Sequence, residues 1–197
     1  MIFGERFYPM LGRLSPWRQS LFALVLAERQ LPNFQVWCEL ENNLPLKELY
    51  ENSLKQLWEF HSDKFNHIDL EKIVDAFEKD PLLSDESRDT EKLGSLYALD
   101  ALLTLLSACD AVILHEGDEA EIASKVSLGG VVRRIEQEGE DLSEEQLRET
   151  ELVDGEVNFQ VDLMERLEKG RRSPELTQSL RQLAHASQGS NIGIPFE

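Results

Sequence analysis

The side chains best suited to chemistry in this sequence are four histidines, two cysteines and a few acidic residues set among apolar ones. His61, His67, His115 and His185 all lack a glutamate three residues upstream, which excludes the Glu-x-x-His pattern of di-iron helical bundles. No H-E-x-x-H, G-x-S-x-G or glycine-rich phosphate loop occurs. Asp80 to Asp89 is acidic but lacks the glycine and ligand spacing of a calcium loop. Cys38 and Cys109 sit among apolar residues, outside any C-x-x-C or Cys/His cluster, and read as buried free thiols. The sequence therefore assigns no catalytic, cofactor-binding or metal-binding residue.

Asp100 is the polar anomaly, because it falls within the apolar run Leu93 to Leu114. On a helix its neighbour one turn on is Thr104, with Ser107 on the same side. His115 shares that face but lies about 22 Å away, too far for one catalytic pair. Two readings stand. Asp100, Thr104 and Ser107 could floor a pocket whose carboxyl has a raised pKa, or Asp100 could accept hydrogen bonds that fix the register of packed helices. Glu28, at the end of the apolar row Trp17, Leu21 and Leu24, admits the same pair of readings.

These residues must be positioned by helices. Leu93 to about His115 predicts a central buried helix, with Leu99, Leu102, Leu103, Leu105, Leu106, Ile113 and Leu114 as its core face. Small or polar residues, Tyr97, Asp100, Ala101, Thr104, Ser107, Ala108 and Ala111, form the opposite face, toward a second neighbour. Within Leu93 to Leu114 the longest uncharged run is Ala101 to Cys109, too short for a bilayer span. Further helices are predicted over Pro16–Gln30, from Asn33 as cap to Leu40, from Pro45 to Phe60, over Leu70–Lys79, over Asp118–Glu138 through Gly129-Gly130, from the capping box Ser143-Glu-Glu-Gln146, over Leu152–Lys169 and over Glu175–Ala186. The two glycines read as permitting a close neighbour within a continuous helix. Met1 to Leu14 reads as an extended arm, and Ser84 to Thr90 as a polar crossover loop. In the tail, Ser190, Asn191, Ile192 and Gly193 lead a segment whose Ile192, Ile194 and Phe196 alternate. It is predicted to pack against the body with Asn191 bonded to main chain. The fold class is all-α: a single-domain multi-helix bundle over residues 1–197, with an N-terminal arm and a C-terminal tail.

The net charge of −18 lies mainly in residues 51–116 (−9) and 117–170 (−10), while residues 1–50 are neutral. Such acidity opposes binding to nucleic acid or an anionic membrane. Leu21 to Ala27 is at the short end for a signal core and Glu28-Arg29 follows it, so the sequence predicts a cytoplasmic protein.

Five segments, Leu14-Ser-Pro-Trp17, Leu26-Ala-Glu-Arg29 followed by Pro32-Asn33, Tyr97-Ala-Leu-Asp100-Ala101, Leu142-Ser-Glu-Glu145 and Ser190-Asn-Ile-Gly-Ile194, resemble in matching order the YjaG-like family of bacterial proteins. The resemblance spans nearly the whole chain and implies an all-helical domain of unknown function. These segments mark a family rather than a reaction. The functional expectation is a domain that binds another protein, with no cofactor and its oligomeric state open. The alternative is a small-molecule or enzymatic pocket beside the central helix, using Asp100, Thr104, Ser107 and Glu28.

Overall fold

Eleven consecutive side chains, Gln19 to Arg29, are buried, so the helix α2 (Pro16–Arg29) is interior on all sides. The structure is a computed structural model that describes residues 2–63, 66–84, 89–90, 92, 94–139, 142–186 and 189–196. Before α2, the arm winds into a short helix, α1 (Phe7–Leu11), where the sequence period indicated only extended chain. Phe3 and Phe7 stack there at 4.0 Å and are buried. The chain continues through α3 (Leu31–Leu40), α4 (Leu44–Ser62), α5 (Leu70–Phe77), a 3-10 turn (Pro81–Leu83), α6 (Ser95–Ile113), α7 (Glu119–Gln137), α8 (Glu144–Arg148), α9 (Glu151–Lys169) and α10 (Pro174–His185). No strand occurs among the described residues, and the protein is an all-α single domain. Leu93 and residues 85–88 of the crossover lie outside the described residues.

Local chemistry explains most of the helix starts. Asn43, Asp69, Thr150 and Ser173 each accept a backbone N–H of the first turn, and Ser143 with Gln146 closes a reciprocal capping box. The α2–α3 junction differs from expectation. The break falls at Gln30, Pro32 sits in the first turn of α3 where its missing N–H costs nothing, and Asn33 lies inside the helix with its side chain free for another role.

α2 packs most extensively on α6, which also packs on α7 and α3. α6 is long and apolar enough by composition to cross a membrane, yet most of it is buried within this fold. Its two faces are buried unequally. On the expected core face Leu102 and Leu105 are fully buried, while Leu99, Leu103, Leu106 and Ile113 are only partly covered and Leu114 is 55% exposed. On the small-residue face Asp100, Ala101, Thr104, Ser107, Ala108 and Ala111 are all buried, because small side chains let a second helix approach closely.

α7 is continuous through Gly129-Gly130, and the two glycines do different work. A Cβ at Gly130 would lie 3.0 Å from Asp100 Oδ2 and 3.5 Å from Asn191 Nδ2, whereas one at Gly129 would meet nothing within 4 Å. The tail after α10 doubles back instead of running extended. Ser190 N–H donates to Ile194 O at 2.7 Å, Gly193 N–H donates to Ser190 O at 3.0 Å, and Gly189 bridges Pro195. Gly193 takes φ +86°, which glycine adopts without strain. Ile192 is therefore buried, while Phe196 leans on the His185 ring with centroids 4.3 Å apart.

Gly129→Ala should raise stability by about 0.5–1 kcal/mol through helix propensity alone. Gly130→Ala should lose that gain, because Asp100 is held from its other side and cannot move away freely. Equal shifts in the urea midpoints of the two variants would remove the claim.

Candidate functional site

The residues nominated from sequence occupy separate environments. Asp100 Oδ2 accepts Arg133 Nη1 at 2.5 Å, and the Arg133 guanidinium lies 5.6 Å from the Tyr97 ring centroid. Burial raises the Asp100 pKa, and Arg133 opposes the rise. Thr104 does not address the carboxylate: its Oγ1 donates to the Asp100 backbone carbonyl at 2.7 Å and accepts Gln30 Nε2 at 3.2 Å. Ser107 donates to Leu103 O. Glu28 faces α4 and α10, accepting Trp58 Nε1 at 2.8 Å, Arg181 Nε at 3.0 Å and His185 Nε2 at 2.9 Å. None of Asp100, Thr104, Ser107 and Glu28 lines the surface cavities at α3, the N-terminal arm or the α4–α5 pair.

The most deeply buried polar cluster was not apparent from sequence. Arg29 pairs with Glu156, and both are buried. Glu156 Oε1 also accepts Ser127 Oγ and Gln160 Nε2, each at 2.6 Å. Gln160 in turn accepts Ser124 Oγ at 2.5 Å. Arg29 is further held over the Phe159 ring at 4.2 Å. The tail joins through Asn191, whose Nδ2 donates to Ser127 O at 3.0 Å and whose Oδ1 accepts Asn33 Nδ2 at 2.9 Å. One signal for this cluster was present: Val153, Glu156, Gln160, Leu163 and Leu167 follow helical spacing, so two polar residues occupy core positions of α9. Their partners on α2, α7 and the tail had no counterpart in local sequence.

Ser20 and His61 are a second buried polar pair, 2.8 Å apart. Ser20 Oγ donates its one hydrogen to Ala108 O at 2.5 Å, so His61 Nε2 must carry a proton and donate to Ser20. This is the reverse of an activated serine, whose histidine accepts the hydroxyl proton. Burial, with a smaller contribution from Arg172, lowers the His61 pKa to about 3. Cys38 and Cys109 are buried free thiols whose pKa values burial pushes up to about 12, which removes their nucleophilic form. Among the described residues no group of three or more His, Cys, Asp or Glu side chains is arranged to hold a metal.

What remains open is at the surface. A cavity of about 370 Å³ lies between α3, the α6–α7 pair and the tail turn, lined in part by Val36, Trp37, Leu40, Tyr97, Ile192 and Ile194. A second cleft, about 290 Å³, flanks the same Val36 and Ile194 on the other side. Val36 and Leu40 are 39% and 54% exposed, which makes the α3 wall of this groove apolar.

Fold and site together define a helical single-domain protein whose buried charged side chains Glu28, Arg29, Asp100 and Glu156 are engaged by intramolecular partners and whose surface carries an apolar groove. The family model described as "Protein of unknown function (DUF416)" matches residues 6–195, and the chain belongs to that family. A Haemophilus influenzae relative named "Uncharacterized protein" is 31% identical over 189 residues, covering 94% of this chain and 95% of that one. "Uncharacterized protein YjaG" of Escherichia coli is 28% identical over 190 residues, covering 95% of each. The crystal structure of a DUF416 family protein from Shewanella baltica aligns with a TM-score of 0.82 at 24% identity, over 96% of this chain and 98% of that one. This last likeness establishes the shared fold.

Glu156→Ala should cost about 3–5 kcal/mol, because it strands a buried guanidinium, while Arg29→Met combined with Glu156→Met should cost less than Glu156→Ala alone. Denaturant unfolding of the single and double variants measures this, and simple additivity would show that the pair is not coupled. For His61 the folded pKa lies below the unfolded one. Its contribution is therefore fully present above about pH 6.5 and lost at about 1.4 kcal/mol per unit as the pH falls toward 3. His61→Gln should close its stability gap with the parent between pH 7 and pH 4.5, and parallel stability curves would contradict this.

Proposed function

We propose that this chain is a cytoplasmic protein-binding domain that receives an apolar segment of a partner in the groove between α3, the α6–α7 pair and the tail turn. The observation that carries the reading is the pair Val36 and Leu40, two large aliphatic side chains one turn apart on α3 that stay exposed where they line the cavity of about 370 Å³. Contiguous exposed apolar surface beside a cavity is the usual mark of a protein contact. The surplus of acidic residues, −18 overall, favours a partner whose apolar segment is flanked by basic residues, and disfavours nucleic acid and anionic membrane as partners. Two buried free cysteines agree with a reducing compartment.

The rival reading, a small-molecule or catalytic pocket built on Asp100, Thr104, Ser107 and Glu28, receives less support. Thr104 and Ser107 spend their hydroxyls on main chain, and Glu28 is surrounded by three donors. Its remaining support is the raised Asp100 pKa, which the burial beside Arg133 explains without a ligand.

Leu40→Asp places a charge in the groove at an exposed position, so it should leave the melting temperature within about 2 °C of the parent. Tagged parent and variant, expressed at native level, should then differ in one co-purifying protein that the parent retains and the variant loses. Purified partner and parent should bind directly, at least tenfold tighter than partner and variant. Identical co-purifying sets would reject the groove as the contact. Self-association lost in the variant, seen by sedimentation, would make a second copy of the chain the partner.

A further inference from the structure

Arginine is distributed unevenly in this protein with respect to its carboxylates. Arg29, Arg133, Arg134, Arg148, Arg166 and Arg181 each lie within ion-pair distance of an acid, as expected where acids outnumber bases 38 to 20. Arg6, Arg13, Arg18, Arg171 and Arg172 do not. Among the described residues no carboxylate pairs with any of the five, and the first three line one cleft of about 510 Å³ between the N-terminal arm, the start of α2 and the end of α9. Arg18 is fixed there: its Nη2 donates to Gly170 O at 3.0 Å, its guanidinium lies 4.7 Å from the Trp17 ring centroid, and its Nε is buried with no partner. Arg172 is directed elsewhere, its Nη2 donating to Phe60 O at 3.3 Å on α4. The first turn of α2 borders the same cleft at Leu14 and Arg18 without a side-chain cap, so the positive helix end adds to the field.

Keeping three guanidinium groups unpaired in so acidic a chain gives the cleft a preference for an anion that accepts several hydrogen bonds at once. Phosphate meets that description, since guanidinium forks match its oxygens. The rest of the lining narrows the ligand further. Pro9 and Met10 offer an apolar floor, and the carboxylates Glu5 and Glu168 would repel a bare anion while accepting hydroxyl or amino groups. The volume suits a small metabolite.

We propose that this cleft binds a small phosphorylated metabolite, with its phosphate on Arg6, Arg13 and Arg18 and its hydroxyl- or amino-bearing portion against Glu5 and Glu168. The site shares no lining residue with the α3 groove and stands independently of it.

Isothermal titration of the full chain with ADP, inorganic pyrophosphate and adenosine tests the proposal, with backbone amide shifts of residues 5–18 as a second readout. One saturable site is expected for ADP, weaker for pyrophosphate and absent for adenosine. Arg6→Gln and Arg13→Gln, both at exposed positions, should each weaken ADP by about tenfold or more, the loss typical of a charged hydrogen bond. Lys55→Gln, an equal charge change on α4, should leave it unaltered. Equal binding of adenosine, unchanged affinity in Arg13→Gln, or no saturation by either phosphate compound up to about 5 mM would each overturn the proposal. So would binding of a glutamate-rich peptide at this cleft more tightly than ADP, because the site would then recognise an acidic polypeptide.

Discussion

The buried contact between Arg29 and Glu156 is the constraint on which the arrangement of the outer helices depends. Two full charges are removed from water, and the penalty of several kcal/mol per ion is offset in part by further hydrogen bonds to the carboxylate. Glu156 therefore also takes Ser127 and Gln160, and Gln160 takes Ser124. Those requirements fix α9 against α7 and both against the C-terminal end of α2. A helix pair held by leucines alone could slide by a turn at modest cost. One held by a charged, multiply bonded carboxylate cannot.

The same logic extends outward from the pair. Asn191 connects the tail to Ser127 on α7 and to Asn33 on α3, so the last residues of the chain close the gap between helices that are distant in sequence. On the other side of α2, Glu28 gathers Trp58 from α4 with Arg181 and His185 from α10. Adjacent residues of one helix thus organise two different sectors of the bundle. Tyr50 adds a third contact, its hydroxyl 3.1 Å from both Ala27 O and Ala101 O where α2 and α6 meet. Burial raises its pKa well above the ordinary value, which keeps it a neutral donor.

With Asp100, Thr104, Ser107 and Glu28 engaged within the fold, the proposed recognition falls to the surface. Two features there depart from an ordinary solvated helix face: the aliphatic strip of α3 beside the tail turn, and the unpaired arginines of the N-terminal cleft. Both are built from segments flanking α2, and both are bordered by a chain end, the tail in one case and the arm in the other.

Most helices were legible locally. Capping residues at Ser143 and Ser173, the Pro-initiated starts of α2 and α4, and the apolar period of α6 are interactions within a few residues, so the sequence alone determines them. The identity of Asp100 as a buried polar residue, and the close approach at Gly130 though not at Gly129, were legible for the same reason. What the sequence could not settle was partner choice. Arg133 for Asp100, Glu156 for Arg29 and Ser127 for Asn191 are 33, 127 and 64 residues apart, and no local rule selects among many candidate acids, bases and amides at such separations. Packing depth was likewise a tertiary matter. A helical wheel ranks faces by hydrophobicity, but the small face of α6 is buried throughout while the leucine face is buried only at Leu102 and Leu105, because helix axes approach most closely where side chains are short. The tail followed a third rule. Its alternating isoleucines suggested an extended edge, and the turn at Gly193 formed instead, because Asn191 and Ser190 find buried partners only when the chain doubles back.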